Sequence, residues 1–230
     1  MEPVVFIPGF MNDARLFRSQ AEPLACCRPV QISPVSGADS VRELAERALA
    51  AAPDRFALVG ASLGGMVAIE MVRRAPDRVT RLALISTDAL SEQPGIAAER
   101  DLMISRAKAG RLEDAMDEAV PTEALAPGPN RATVRDTMMA MARRAGPEAF
   151  QRQSRAMQRR PDQQGTLRRI HVPAMVICGW HDRIFPARRH QLMADLIPHA
   201  IPVGLEDAGH LPTLEQPDQV LAALEHWLSL

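Results

Sequence analysis

Gly60-Ala61-Ser62-Leu63-Gly64 sets a serine between two glycines, after the apolar run 56–59 and before a helix-like stretch, 65–74. A strand, a sharp turn and a helix with serine at the turn would lift the hydroxyl clear of a sheet and present it as a nucleophile. Glycine at 60 and 64 suits that turn, because side chains there would crowd the adjoining strand and helix. A serine hydroxyl attacks poorly at neutral pH unless a base takes its proton. A helix starting at this point also turns its positive end toward any negative charge that develops. The chemistry such a turn serves is attack on an acyl carbonyl.

The partners for that chemistry occur later, each after a predicted strand. Parallel strands deliver such segments to one carboxyl edge. His210, in Glu206-Asp207-Ala208-Gly209-His210-Leu211, can accept the serine proton and return it to a leaving group. The other histidines, His171, His190, His199 and His226, read as surface or helix-flank residues, and His181 as a rim residue. Asp182, in Gly179-Trp180-His181-Asp182-Arg183, can hold the imidazole in the required tautomer. Asp88, at the end of the strand Val79 to Ile85, is a rival acid, whereas Asp207 shares the histidine's own loop. The negative charge on a tetrahedral intermediate needs two backbone donors. Leu63 N–H, directly after the serine, is one candidate. Phe10 N–H, in Pro8-Gly9-Phe10-Met11, is the other, with Gly9 allowing close backbone approach.

The elements that must position these groups alternate in type. Strands are expected at Val4 to Ile7, Val30 to Ile32, Phe56 to Gly60, Val79 to Ile85, Met175 to Cys178 and Ile201 to Val203. Val41, Leu44, Ala45, Ala48 and Leu49 follow helical spacing up to Pro53, and Val220, Leu221, Leu224, Trp227 and Leu228 mark a closing helix. This alternation argues for a mostly parallel sheet covered on both faces. From Leu90 to about Arg169 no strand is expected. That stretch reads as several short helices punctuated at Gly110, Pro127-Gly128-Pro129, Gly146-Pro147 and Pro161. Its position between two strands makes it a lid over the ligand crevice. Met103, Met138, Met139, Met141 and Met157 suggest an apolar pocket there, with Met138 and Met157 as lining candidates. Its arginines, among them Arg152 and Arg155, suit either a solvated face or an anionic substrate, with Arg155 the candidate clamp.

Composition narrows the classes. A formal net charge of −1 offers no footprint for nucleic acid or an acidic membrane surface. No apolar run reaches the length of a membrane span, and the first residues lack the basic and apolar regions of a signal peptide. Three cysteines, two of them adjacent, form no disulfide framework and fit a reducing, cytoplasmic setting. No His or Cys spacing suggests a metal site, and nothing implies a cofactor.

Taken together, Pro8-Gly9-Phe10, Gly60 to Gly64, Gly179-Trp180-His181-Asp182, Gly209-His210-Leu211-Pro212 and the tail Leu214-Glu215-Gln216-Pro217 resemble the α/β-hydrolase superfamily. The nearest likeness is to its small cofactor-free bacterial members, carboxylesterase or 3-oxoadipate enol-lactonase-like hydrolases. The order Ser, Asp, His is that of the family. Pro8 departs from the histidine usual before the oxyanion glycine; the role carried over is a backbone N–H, so activity is expected to survive. The resemblance implies an α/β-hydrolase fold with a core at 1–89 and 170–230 and a helical cap at 90–169. The chain starts almost at the strand leading to Pro8, so about six strands are expected, without the family's usual first two. An open sheet edge invites a second copy, a homodimer. The implied activity is hydrolysis of a small-molecule carboxylic ester or lactone. Carbon–carbon bond hydrolysis, acyl transfer to another acceptor and a ligand-binding receptor on the same fold remain open alternatives.

Overall fold

The computed structural model describes residues 1–230. Six strands form one fully parallel sheet: β1 (Val4–Ile7), β2 (Val30–Ile32), β3 (Phe56–Ala61), β4 (Val79–Ile85), β5 (Ala174–Gly179) and β6 (Ile201–Leu205). Every residue of β1, β3 and β5 is buried, as uninterrupted apolar runs require in a sheet covered on both faces. The covering helices are α1 (Arg18–Ala25), α2 (Val41–Ala51), α3 (Leu63–Arg74), α4 (Pro94–Lys108), α5 (Leu112–Ala119), α6 (Arg131–Gln158), α7 (Gln164–Leu167), α8 (Ala187–Leu196), α9 (Pro212–Glu215) and α10 (Pro217–Ser229). Helix α2 starts where Ser40 accepts a hydrogen bond from Glu43 N–H, half of a capping box, and buries the five apolar residues whose spacing marks it.

Strand order is β2-β1-β3-β4-β5-β6. The order therefore reverses between β1 and β3. Connections leaving these two neighbours depart in opposite directions and open a crevice at their carboxyl ends. The segments that leave there are Pro8 to Asn12 and Ser62.

All of α4 to α7 lies between β4 and β5, where the sequence shows no strand. The helices there are longer than the glycine and proline punctuation suggests. Gly146-Pro147 does not end α6. Gly146 takes φ 80° and kinks the helix, and Pro147, which needs no hydrogen-bonded N–H at a first position, starts a second limb.

Candidate active site

Ser62 sits between the last residue of β3 and the first of α3, with φ 50° and ψ −118°. This is a conformation that a non-glycine residue adopts only under constraint, at a cost of about 1–3 kcal/mol. The constraints are visible. Ser62 N–H donates to Ile85 O at 2.9 Å, and Ser62 O accepts from Thr87 Oγ1 at 2.6 Å. Gly64 packs so closely under the first loop that a β-carbon would strike the carbonyls of Ile7 and Pro8. The strain is thus held by β4 on one side and the β1 loop on the other.

His210 Nε2 lies 3.2 Å from Ser62 Oγ, and His210 Nδ1 lies 2.9 Å from Asp182 Oδ2. All three side chains are buried. The second Asp182 oxygen accepts the N–H groups of Ile184 and Phe185 at 2.8 and 3.0 Å. Burial raises the Asp182 pKa. Attraction to His210, the His210 hydrogen bond and the Phe185 N–H outweigh it, so the net direction is below the ordinary 3.8. The carboxylate stays ionised beside the imidazole. The Phe185 ring, its centroid 5.7 Å from that of His210, covers the same imidazole.

Asp88, the rival acid, is turned elsewhere. It accepts from Arg189 at 3.2 Å and from Leu90 N–H at 3.1 Å, with Arg160 at 4.0 Å. His190 is a correction to the sequence reading. It is 2% exposed, and its Nε2 accepts Thr87 N–H at 3.1 Å. It therefore stands behind the threonine that holds Ser62. Burial lowers its pKa below 6.5, which keeps it neutral and able to accept. Its helical neighbours Met193 and Ala194, three and four residues on, are also buried. That spacing was the available signal for a buried histidine.

Both oxyanion candidates stand at the reversal in strand order. A β-carbon on Gly9 would lie 3.1 Å from Ser62 Cβ, so the β1 loop packs against Ser62. Leu63 N–H is the first of α3 and has no acceptor within that helix. Phe10 N–H is engaged by no acceptor of the chain, although the two residues after it are: Met11 N–H by Gln153 and Asn12 N–H by Gly9 O. The Phe10 ring meets Phe150 edge-on at 5.2 Å, with the Arg100 guanidinium 5.8 Å from its centroid.

Of the substrate-pocket candidates, Met138 and Met157 are packed into the continuous core. Arg155 is bonded to Asp101 and Gln158. A cleft of about 430 Å³ opens between Pro8, the loop after β2 and α6, with Arg144 and Arg152 among its lining. No group of three metal-ligating side chains converges anywhere in the chain.

Two residues that the sequence did not mark as part of the site hold it together. Glu215 accepts three N–H groups, from Gly209 and Leu211 on the histidine loop and from Ala126 after α5. Gln153 of α6 accepts from Met11 at 2.7 Å. Glu215 lies in the tail motif, whereas Gln153 carries no local signal beyond sitting three residues from the buried Phe150.

Comparison with known proteins agrees with this architecture. The model of the alpha/beta hydrolase family matches residues 4–223. A pimeloyl-[acyl-carrier protein] methyl ester esterase of Aeromonas hydrophila is 26% identical over 190 residues, covering 80% of this chain and 75% of that protein. A malate-bound thermophilic esterase from Thermogutta terrifontis superposes with a TM-score of 0.89 at 27% identity, covering 100% of this chain and 90% of that one. The enol-lactonase from Burkholderia xenovorans, at 21% identity, shares the fold with a TM-score of 0.86 over 100% of this chain and 92% of its own.

Proposed function

The chain belongs to the alpha/beta hydrolase family, and on that premise we propose that it cleaves a carboxylic ester or lactone through an acyl-serine intermediate. The observation that carries the proposal is the continuous array Ser62 Oγ, His210 and Asp182 at 3.2 and 2.9 Å, built on a strained strand-to-helix turn.

The reaction follows from that array. Ser62 Oγ attacks the carbonyl carbon as its proton passes to His210 Nε2. The electron pair displaced onto the carbonyl oxygen is met by Phe10 N–H and Leu63 N–H. Asp182 stabilises the imidazolium that forms. Collapse of the intermediate expels the alcohol, which takes the proton from His210. Water, deprotonated by the same histidine, then releases the acid and restores Ser62. In this reading residues 90–169 form the cap, and 1–89 with 170–230 form the catalytic core.

The names of the relatives point the same way. The Aeromonas hydrophila protein is a methyl ester esterase, and the Thermogutta terrifontis protein is an esterase. A methyl ester of an acyl group, such as a pimeloyl methyl ester, is therefore a candidate substrate beside simple aryl esters.

The test is hydrolysis of p-nitrophenyl esters from acetate to decanoate by wild type and by Ser62→Ala. Loss of a nucleophile of this kind costs about 10⁴-fold or more in kcat. A peak at one chain length that vanishes in the variant would support the reading. Equal turnover by the two proteins would end it.

A further inference from the structure

The loop that would supply one oxyanion donor is tied to the cap by one buried side-chain amide as well as by ring contacts. Gln153, on the second limb of α6, is 4% exposed. Its Oε1 accepts Met11 N–H at 2.7 Å, and its Nε2 donates to Val35 O, in the loop after β2, at 2.8 Å. Both polar ends of the amide are thus used, across sequence separations of 142 and 118 residues. Met11 itself has φ 56°, a left-handed conformation that a residue with a β-carbon keeps only where its surroundings impose it. One turn before Gln153 on the same limb, Phe150 packs edge-on against Phe10. The second limb of α6 therefore grips the two consecutive residues Phe10 and Met11, one by ring contact and one by a buried hydrogen bond.

From this arrangement we propose that Gln153 is a positioning residue for the oxyanion hole. By fixing the Met11 peptide in its left-handed turn, it aims the preceding Phe10 N–H at the carbonyl oxygen that becomes negative when Ser62 adds. The inference rests on the acyl-serine reading above. It gives the cap a part in transition-state stabilisation in addition to covering the crevice. The donor itself is a backbone group and cannot be deleted by substitution, whereas its support can.

Gln153→Met keeps the length and volume of the side chain but replaces the amide oxygen with a thioether sulfur, a much weaker acceptor for Met11 N–H, and removes the donor to Val35 O. Gln153→Glu keeps the acceptor and serves as the conservative control. On p-nitrophenyl acetate, Gln153→Met is expected to lower kcat by about 100-fold, the effect of an ångström-scale misplacement of a catalytic group. KM should change little, because the donor acts on the transition state. Gln153→Glu should recover most of the lost kcat at equal or lower thermal stability. An aryl trifluoromethyl ketone provides a second readout. Ser62 Oγ adds to its carbonyl carbon, the Ser62 proton moves to His210, and the carbonyl oxygen becomes the oxyanion. Its affinity should fall in Gln153→Met by about the same factor as kcat/KM.

Wild-type kcat and wild-type ketone affinity in Gln153→Met would overturn the proposal. A kcat loss equal in both variants, tracking their melting temperatures while ketone affinity is unchanged, would also overturn it and leave Gln153 a structural residue. Absence of Ser62-dependent turnover in the wild type would instead sink the hydrolase reading, and with it any oxyanion role for the loop.

Discussion

Two aspartates follow strands on the same sheet edge, and only one faces the imidazole. Asp182 is bonded to His210 and to two backbone N–H groups, whereas Asp88 serves arginines. Asp182→Asn should therefore lower kcat by about 10⁴-fold, through loss of the correct histidine tautomer. Asp88→Asn should leave kcat near wild type while destabilising the fold, since Arg160 and Arg189 lose a buried partner. Steady-state kinetics and urea midpoints on the two variants separate these outcomes. His190 carries the pH argument. Burial lowers its folded-state pKa below 6.5, so the unfolded chain takes up a proton first as pH falls. Its stabilising contribution is complete above the unfolded value and is lost as pH drops through the folded one. Melting temperatures followed from neutral pH to about pH 5 should thus fall more steeply in wild type than in His190→Gln. Parallel slopes would mean that His190 does not titrate in this way.

At the scale of elements, α4 to α7 are joined to the core by polar contacts as well as apolar packing. Glu215 on α9 ties Ala126 to the histidine loop, and His210 N–H itself donates to Ala124 O at 2.8 Å. Glu215→Ala would leave the buried N–H groups of Ala126, Gly209 and Leu211 without a partner. A cost of about 3 kcal/mol or more is expected, at about 1 kcal/mol or more per unsatisfied group. Denaturant unfolding would measure it, and a loss below about 1 kcal/mol would mean that water replaces the carboxylate. The arginines of α6 illustrate a different point. In the sequence they form a basic run, but acids from other elements meet them: Asp117 at Arg135, Glu113 at Arg143 and Asp101 at Arg155, with Asp39 at Arg159 just past the helix end. Most of these arginines are thus already paired. Arg155→Ala is accordingly expected to leave the ratio of kcat/KM for a carboxylate-bearing ester to that for a neutral ester unchanged at low salt. A selective loss on the charged ester would restore Arg155 as a clamp.

For the whole molecule, the reversal of strand order between β1 and β3 places the two halves of the chemistry side by side. Ser62, the proposed nucleophile, leaves one strand and the loop proposed to supply an oxyanion donor leaves its neighbour. The two edges of the sheet differ. Strand β6 carries Pro202 and Gly204, both poor at extending a ladder, whereas β2 is three residues long without proline. The homodimer expected from an open edge has β2 as its better route. Sedimentation velocity on wild type and Val30→Lys tests it, because a lysine on an edge strand opposes pairing. A dimer that the substitution dissociates would place the interface at β2, and a monomer in both would remove the expectation.

The sequence by itself determined six strand segments in a mostly parallel sheet, the serine turn and the residue types available for proton transfer. These follow from local rules: apolar runs that must be buried on both faces, glycines where backbones crowd, and a serine where strand becomes helix. It left two aspartates open, read His190 as a surface or helix-flank residue and left the cap arginines between a solvated face and an anionic-substrate clamp. Only the tertiary structure decided which aspartate meets His210, what Arg155 is bonded to, and that Gln153 and Glu215 hold the loops around Ser62. Each of these depends on groups brought together by folding, most of them from distant parts of the chain. A hydrogen bond between Met11 and Gln153, 142 residues apart, leaves no periodicity in either neighbourhood. It exists because the crossing of α6 over the β1 loop buries both groups, and burial makes their pairing obligatory.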